Sequence, residues 1–249
     1  MIGLEILLRR GHALILLLAV ILVLPTHPKW TDAFHGNVLL LTAHPDDECM
    51  FFAPTLLALR SSRVHALCLS VGDADGLGGT RKREFEYSLD LLGVGRDQRR
   101  VLDHPDLQDN FTQIWNAQSI SDVLSPVLKE WNIDTILTFD AGGVSGHPNH
   151  RSLPEGVLVL QSSTQTAFRA FTLITTPLPT KYIGVIAPVW EKLRSLLSTK
   201  NTITFVSSPH QYVSALAAMR AHASQLVWFR WLYVMFSRYM WVNEWIELA

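Results

Sequence analysis

Two short polar clusters carry the residue types that chemistry needs. Ala43-His44-Pro45-Asp46-Asp47-Glu48 sets one imidazole and three carboxylates at the end of an apolar run, Val38 to Thr42, and Ser145-Gly146-His147-Pro148-Asn149-His150 follows a second such run, Thr135 to Phe139. His-Pro and Asp-Asp are also ordinary turn residues, because Pro fixes φ and Asp bonds its own backbone, so either cluster alone reads equally well as a loop. Together, each just past a buried-type strand of the kind at whose carboxyl end α/β sheets gather ligands, they read as two halves of one metal site. A catalytic zinc site takes three His or carboxylate ligands and leaves one position open. His44, Asp47 and His150 meet that requirement, and Asp46 is then a spare carboxylate for the general-base work of a hydrolase.

The elements that must position these clusters alternate along the chain. Strand Val38 to Thr42 passes through the first cluster to a helix over about Phe51 to Arg60; Val64 to Val71 is a second strand, followed by a glycine-rich turn, Gly72 to Gly79, and a charged helix, Thr80 to Leu92. Asp103 to Asn110 reads as a loop, Ile114 to Glu130 as an amphipathic helix, Asp134 to Phe139 as a strand, and a further helix begins within or just after the second cluster. Ala167 to Thr175 and, more weakly, Thr202 to Val206 complete the strands. Strands separated by helical stretches imply parallel crossovers, hence an α/β fold with a Rossmann-like, doubly wound, mostly parallel sheet and flanking helices.

The glycine-rich turn has neither the G-x-G-x-x-G order nor the Lys-Ser/Thr ending of a phosphate loop, which argues against a nucleotide cofactor. It suits a mobile substrate loop, with Arg81 and Glu84 on one face of the helix that follows; the same pair also reads as an ordinary i, i+3 surface ion pair. With Asp73 and Asp109, Arg81 and Glu84 are candidate contacts for sugar hydroxyls or a phosphate, and the forked donors of Arg81 make it the best phosphate partner of the set.

At 249 residues the chain suits one α/β domain with an appendage. The formal net charge is -1 and the basic residues are scattered, which excludes the concentrated footprint of a nucleic-acid binder. Cys49 and Cys68 are not in a paired-ligand spacing and read as buried thiols. The apolar excess sits at the ends. Ala13 to Leu24 contains no polar side chain, and two readings compete for it, a signal peptide or a membrane anchor with Arg9 and Arg10 at one interface. Pro25-Thr26-His27-Pro28 lacks a small-residue cleavage pattern, so an anchor over residues 1–25 is preferred, followed by a linker over 26–36. Val227 to Trp241 is too rich in Trp, Tyr and Arg for a spanning helix and too apolar for a solvated one. It reads as an interfacial helix bounding the domain at residue 226, or else as a terminal helix packed on the domain through its aromatic face.

The Ala-His-Pro-Asp-Asp-Glu motif, the Ser70 to Gly79 loop with Arg81 and Glu84, and the Gly-His-Pro-Asn-His motif stand in one order over roughly Asn37 to Gln225. In this the chain resembles the PIG-L/LmbE-like zinc de-N-acetylases, and within them the branch acting on N-acetylglucosaminyl-phosphatidylinositol early in the synthesis of glycosylphosphatidylinositol anchors. The hydrophobic start and the Ser224 to Arg230 segment support that branch. The resemblance implies Zn²⁺, or another divalent ion, on His44, Asp47 and His150, Asp46 as general base, and a protonated His147 facing the tetrahedral intermediate. It also implies a place for His222 near the mouth of the site. Some bacterial members carry a Tyr where Ser145 stands, and Ser145 is too short to serve in its place. The resemblance further implies a glycolipid substrate, contact with membrane lipid, and a single-pass endoplasmic-reticulum protein with its catalytic domain in the cytosol, against the charge bias of Arg9 and Arg10. Rival readings are a de-N-acetylase of a soluble amino-sugar conjugate and a non-catalytic, membrane-anchored metal-binding subunit.

Overall fold

The computed structural model describes residue 34 and residues 36–59, 63–164, 166–197 and 202–248. The expected anchor, and the linker apart from residues 34 and 36, lie outside the described residues. Among the described residues no helix is long and apolar enough to cross a membrane.

Strand β1 (Asn37–Thr42) leads into two short helices, α1 (Asp47–Phe51) and α2 (Ala53–Ala58), and then β2 (Arg63–Cys68). The glycine-containing loop precedes α3 (Gly78–Leu92) and the brief β3 (Arg99–Val101). The alternation continues through α4 (Ala117–Trp131), β4 (Ile133–Phe139), α5 (Pro148–Ser163) and β5 (Arg169–Leu173). The last third adds α6 (Ile186–Leu197), β6 (Ile203–Val206), α7 (Pro209–Ala221), α8 (Trp228–Phe236) and β7 (Val242–Glu247).

The strands form one seven-stranded sheet in the order β3-β2-β1-β4-β5-β7-β6. From β3 to β5 every pairing is parallel, with Leu40 of β1 opposite Ala66 on one side and Leu137 on the other. Leu39, Leu40 and Leu41 are all buried, as expected of a central strand covered by helices on both faces. Helices α4 and α5 pack on each other, and α3 packs on α7, which also meets α1 and α2. The strand order reverses between β1 and β4. The crevice beyond the carboxyl ends of those two strands is the point where open α/β sheets bind ligands, and both polar clusters of the sequence lie there.

The carboxyl end departs from the sequence reading. The aromatic helix expected over 227–241 stops at Phe236, and the chain returns to the sheet as β7, antiparallel to both β5 and β6. Tyr239, Met240 and Trp245 are buried, and Trp245 packs on Phe52 and Phe34. Arg238, itself buried, bridges Glu191 of α6 and Glu244 of β7 at 2.9 and 2.5 Å. Residues 237–248 therefore belong to the catalytic domain, which does not end at residue 226. The aromatic excess has two causes: Tyr239 to Trp245 fill the core, while α8 keeps an exposed face of Trp228, Phe229, Leu232 and Met235.

Candidate active site

The turn after β1 is built around Asp47. Its Oδ2 accepts the backbone N–H groups of Ala43 and His44 at 3.1 and 2.9 Å, which leaves Oδ1 facing Nε2 of His150 at 3.2 Å. His150 sits two residues into α5, stacked flat on Phe139 at the end of β4, and its Nδ1 donates to the carbonyl of Gly143 at 3.1 Å. Gly143 has φ +59°, and a Cβ there would lie 2.9 Å from that of His150, so only glycine lets the turn come this close. The other imidazole, His44, turns Nε2 to Asn149 Oδ1 at 3.0 Å and to Asp109 Oδ1 at 3.2 Å, and Nδ1 to His150 Nε2 at 3.3 Å.

These contacts fix the tautomers. Nε2 of His44 faces two acceptors and must carry its proton, and Nδ1 of His150 faces a carbonyl and must carry its own. Nδ1 of His44, left as an acceptor, then meets Nε2 of His150 at 3.3 Å, and that nitrogen also faces Asp47 Oδ1 at 3.2 Å, so three potential ligand atoms converge where either a proton on His150 or a cation in its place is needed. Burial, the largest influence, takes His44 down to about 4, so it stays neutral near pH 7; for His150 the Asp47 carboxylate overcomes burial and raises the pKa, so its Nε2 carries a proton that a bound cation would displace. Burial alone would raise Asp47, but His150 and His44 outweigh it and hold its carboxyl well below the usual range. His44, Asp47 and His150 thus offer the donor set that suits zinc. The ligand nitrogens of His44, His147 and His150 also lie within 4.8 Å of one another.

Asp46 stands beside this set in a backbone conformation, φ 113° and ψ −22°, that non-glycine residues avoid. Its amide donates to Glu48 Oε2 at 3.0 Å, and its carboxylate faces Arg81 at 3.8 Å and Arg230 at 3.4 Å. Burial raises its pKa against the pull of Arg230 and then Arg81. A carboxylate with a raised pKa, aimed into a cleft, is suited to taking and returning a proton.

His147 caps the start of α5 by accepting the amide of Asn149 at Nδ1, 3.2 Å away, which leaves Nε2–H pointing to the site. Burial, with His150 next, lowers its pKa. A proton on Nδ1 would break the cap, so the cap and the lowered pKa both favour a neutral ring that donates from Nε2.

The remaining expected contacts separate into two groups. Arg81 and Asp109 line the cavity, but Arg81 is committed to the carbonyls of Gly72 and Pro45 and to Asp109, and Asp109 also orients His44. Three residues are absent from the cavity wall. Asp73 accepts the amide of Gly78 at the start of α3; Glu84 accepts both the amide and the hydroxyl of Ser224; His222 is fully buried against Glu48. Glu84 and His222 thus brace the wall from behind, whereas Asp73 stays exposed beside the lining residues Ala74 and Asp75.

Sequence reasoning missed Asn149, Arg230 and Glu48. Glu48 binds His222 at 2.6 Å, Ser88 at 2.5 Å and the amide that holds Asp46 in its strained conformation. Burial would raise Glu48 and lower His222, yet each moves the other way because they face each other as an ion pair. Glu48, Cys49 and His222 also lie within mutual ligand distance, but the Glu48 oxygens are engaged and burial pushes the Cys49 thiol well up, so this trio is a hydrogen-bonded core. Replacing Glu48 with Ala removes the buried partner of His222, of Ser88 and of the Asp46 amide at once and should cost about 3–5 kcal/mol. The midpoint of thermal unfolding of the metal-free protein should fall by roughly 10 °C, and a fall under about 2 °C would show the pair to be dispensable.

The cavity in front of these groups measures about 920 Å³ and is walled by His44, Asp46, His147 and His150 at one end and by apolar Tyr182, Phe229, Leu232 and Phe236 elsewhere. Residues 39–160 match the family model described as GlcNAc-PI de-N-acetylase. A probable N-acetylglucosaminyl-phosphatidylinositol de-N-acetylase of Schizosaccharomyces pombe is 35% identical over 82% of this chain and 84% of its own length. The N-acetylglucosaminyl-phosphatidylinositol de-N-acetylase of Bos taurus is 38% identical over 84% and 82%. The chain belongs to the GlcNAc-PI de-N-acetylase family. Solved structures share the fold of this family at low identity. The N,N'-diacetylchitobiose deacetylase of Pyrococcus horikoshii superimposes with a TM-score of 0.51 at 19% identity, over 89% of this chain and 81% of that one. The zinc-inhibited form of teicoplanin deacetylase gives 0.57 at 12%, over 85% and 98%.

Proposed function

We propose that the chain hydrolyses the N-acetyl amide of N-acetylglucosaminyl-phosphatidylinositol, releasing acetate and leaving glucosaminyl-phosphatidylinositol, with Zn²⁺ held by His44, Asp47 and His150. The observation that carries this reading is the convergence of His44 Nδ1, His150 Nε2 and Asp47 Oδ1 beside Asp46, whose pKa burial raises. When bound, the ion supplies Lewis acidity towards the acetamide carbonyl and lowers the pKa of water. The rest is the work of the chain. Asp46 takes a proton from the attacking water and later delivers it to the departing amine, so that amide and water become amine and acetate. Nε2–H of His147 donates to the carbonyl oxygen as charge gathers on it. Asp109 and Asn149 keep His44 in the required tautomer, and Glu48 holds Asp46 in place.

The rim of the cavity suits a lipid-borne substrate. Beside its apolar lining, Trp228 is 76% exposed, and Ile186 and Trp190 of α6 add to the unburied apolar surface. Trp-rich surfaces of this kind favour the headgroup level of a bilayer. In this reading α8 and α6 rest on an endoplasmic-reticulum membrane, a single anchor lies ahead of the domain, and the domain faces the cytosol. The test is to give purified protein a water-soluble N-acetylglucosaminyl-inositol phosphate and measure free amine with and without a chelator. Amine should appear, stop with chelator and return with added Zn²⁺; amine formation indifferent to the chelator would overturn the metal assignment, and none under any condition would overturn the activity.

A further inference from the structure

Three cationic side chains line the cavity, Arg81, Arg230 and Lys181. The sequence favours Arg81 for an anionic substrate group, but its guanidinium already serves two carbonyls and Asp109, with Asp46 at 3.8 Å. Arg230 faces Asp46 and the sulfur of Met50. Lys181 differs from both. Its Nζ donates to the carbonyl of Val144, and among the described residues no carboxylate oxygen lies within the 4.0 Å of an ion pair. The carboxylate it senses most, Asp140, is occupied by the amides of Gly142, Gly143 and Thr175 and by the Thr175 hydroxyl. Burial lowers the Lys181 pKa and Asp140 only partly opposes this, as for a cation still short of a counterion. An ammonium has three donors, so a ligand can still be bound.

Its position along the wall narrows the ligand. Val144 adjoins Gly143, whose carbonyl anchors His150, so Lys181 stands one residue along the turn from the reacting end. On its other side Tyr182 meets the ring of Tyr233, and the amide of Gly184 bonds the carbonyl of Phe236, both residues of the apolar α8 wall. Lys181 therefore marks the junction between polar and apolar parts of the cavity. In an inositol glycolipid whose sugar reacts and whose acyl chains leave through the apolar rim, the group at that junction is a phosphodiester.

We propose that Lys181 is the phosphate-recognising side chain of this cavity, binding the phosphodiester that links inositol to lipid. This rests on the substrate reading above. Two soluble probes test it, N-acetylglucosaminyl-inositol and its inositol 1-phosphate counterpart, with dissociation constants measured calorimetrically on metal-loaded protein carrying Asp46→Asn so that neither is consumed. With Lys181 present the phosphorylated probe should bind about ten- to a hundredfold more tightly, the contribution expected of a charge-assisted contact. Lys181→Met should abolish that preference and Lys181→Arg should retain most of it. A preference that survives Lys181→Met would overturn the assignment, as would equal weakening of both probes, which would mean that Lys181 only braces the Val144 turn. Inorganic phosphate competing as well as inositol 1-phosphate would also overturn the headgroup reading. Failure of the deacetylase reading shows separately, as absence of free amine from the chain with Asp46 intact.

Discussion

Replacing Asp46 with Asn should lower turnover by about 10²- to 10⁴-fold, the range a general base supplies. That corresponds to about 3–5 kcal/mol of barrier. The substitution is close to isosteric, and Asn tolerates positive φ as well as Asp does, so the strained turn survives. The residue 46 amide still donates to Glu48, and His44, Asp47 and His150 are untouched. Bound Zn²⁺ should stay near one equivalent by atomic absorption while free-amine production collapses. The carboxamide cannot accept a proton near pH 7 and so removes the base without removing the site. Loss of metal from this variant would mean that the adjacent aspartates have been given each other's roles. Retained turnover would mean that the proton goes elsewhere, with His147 the nearest candidate.

The polar clusters were legible because each breaks an apolar run at a strand end. Only a ligand or a turn explains such a break, and two of them at a topological switch point favour a ligand. Partners that meet only in the fold were not legible. His222 pairs with Glu48 across 174 residues and Ser224 with Glu84 across 140, and neither separation leaves a local pattern. Glu84 and His222 consequently looked like substrate contacts, whereas their polar atoms are spent on fixing the wall. The carboxyl end misled for a different reason. Val242–Glu247 lacks a clean alternation of buried and exposed positions because it is an interior antiparallel strand, and the neighbouring Trp and Tyr residues resemble an interfacial belt until their burial is known. Strand β3 has three residues, too few for periodicity to register. Asn149 lay inside a recognised motif, and its role became visible only through the side-chain oxygen it turns to His44.

His150→Ala should cost the protein its metal. Its Nε2 is one of two imidazole nitrogens that converge with Asp47 Oδ1, and without it His44 Nδ1 and Asp47 Oδ1 remain as two ligand atoms where three are needed. Asp109→Asn is the graded comparison: it leaves all three donors but weakens the hold on His44 Nε2, and removal of such an outer partner typically costs about 10- to 100-fold in metal affinity. Zn²⁺ affinity, measured by competition with a chromogenic chelator, should therefore fall more in His150→Ala than in Asp109→Asn. Because the imidazole stacks on Phe139, the alanine variant also leaves a gap in the core, and His150→Gln, which keeps most of the volume and can still bond the Gly143 carbonyl, separates loss of ligand from loss of packing. If Gln and Ala both lose the ion while Gln keeps the thermal midpoint of the metal-free protein, His150 acts as a ligand. If the Gln variant binds Zn²⁺ as tightly as the unmodified chain, the ion is held elsewhere, and the convergence of the two turns serves the fold instead of the chemistry.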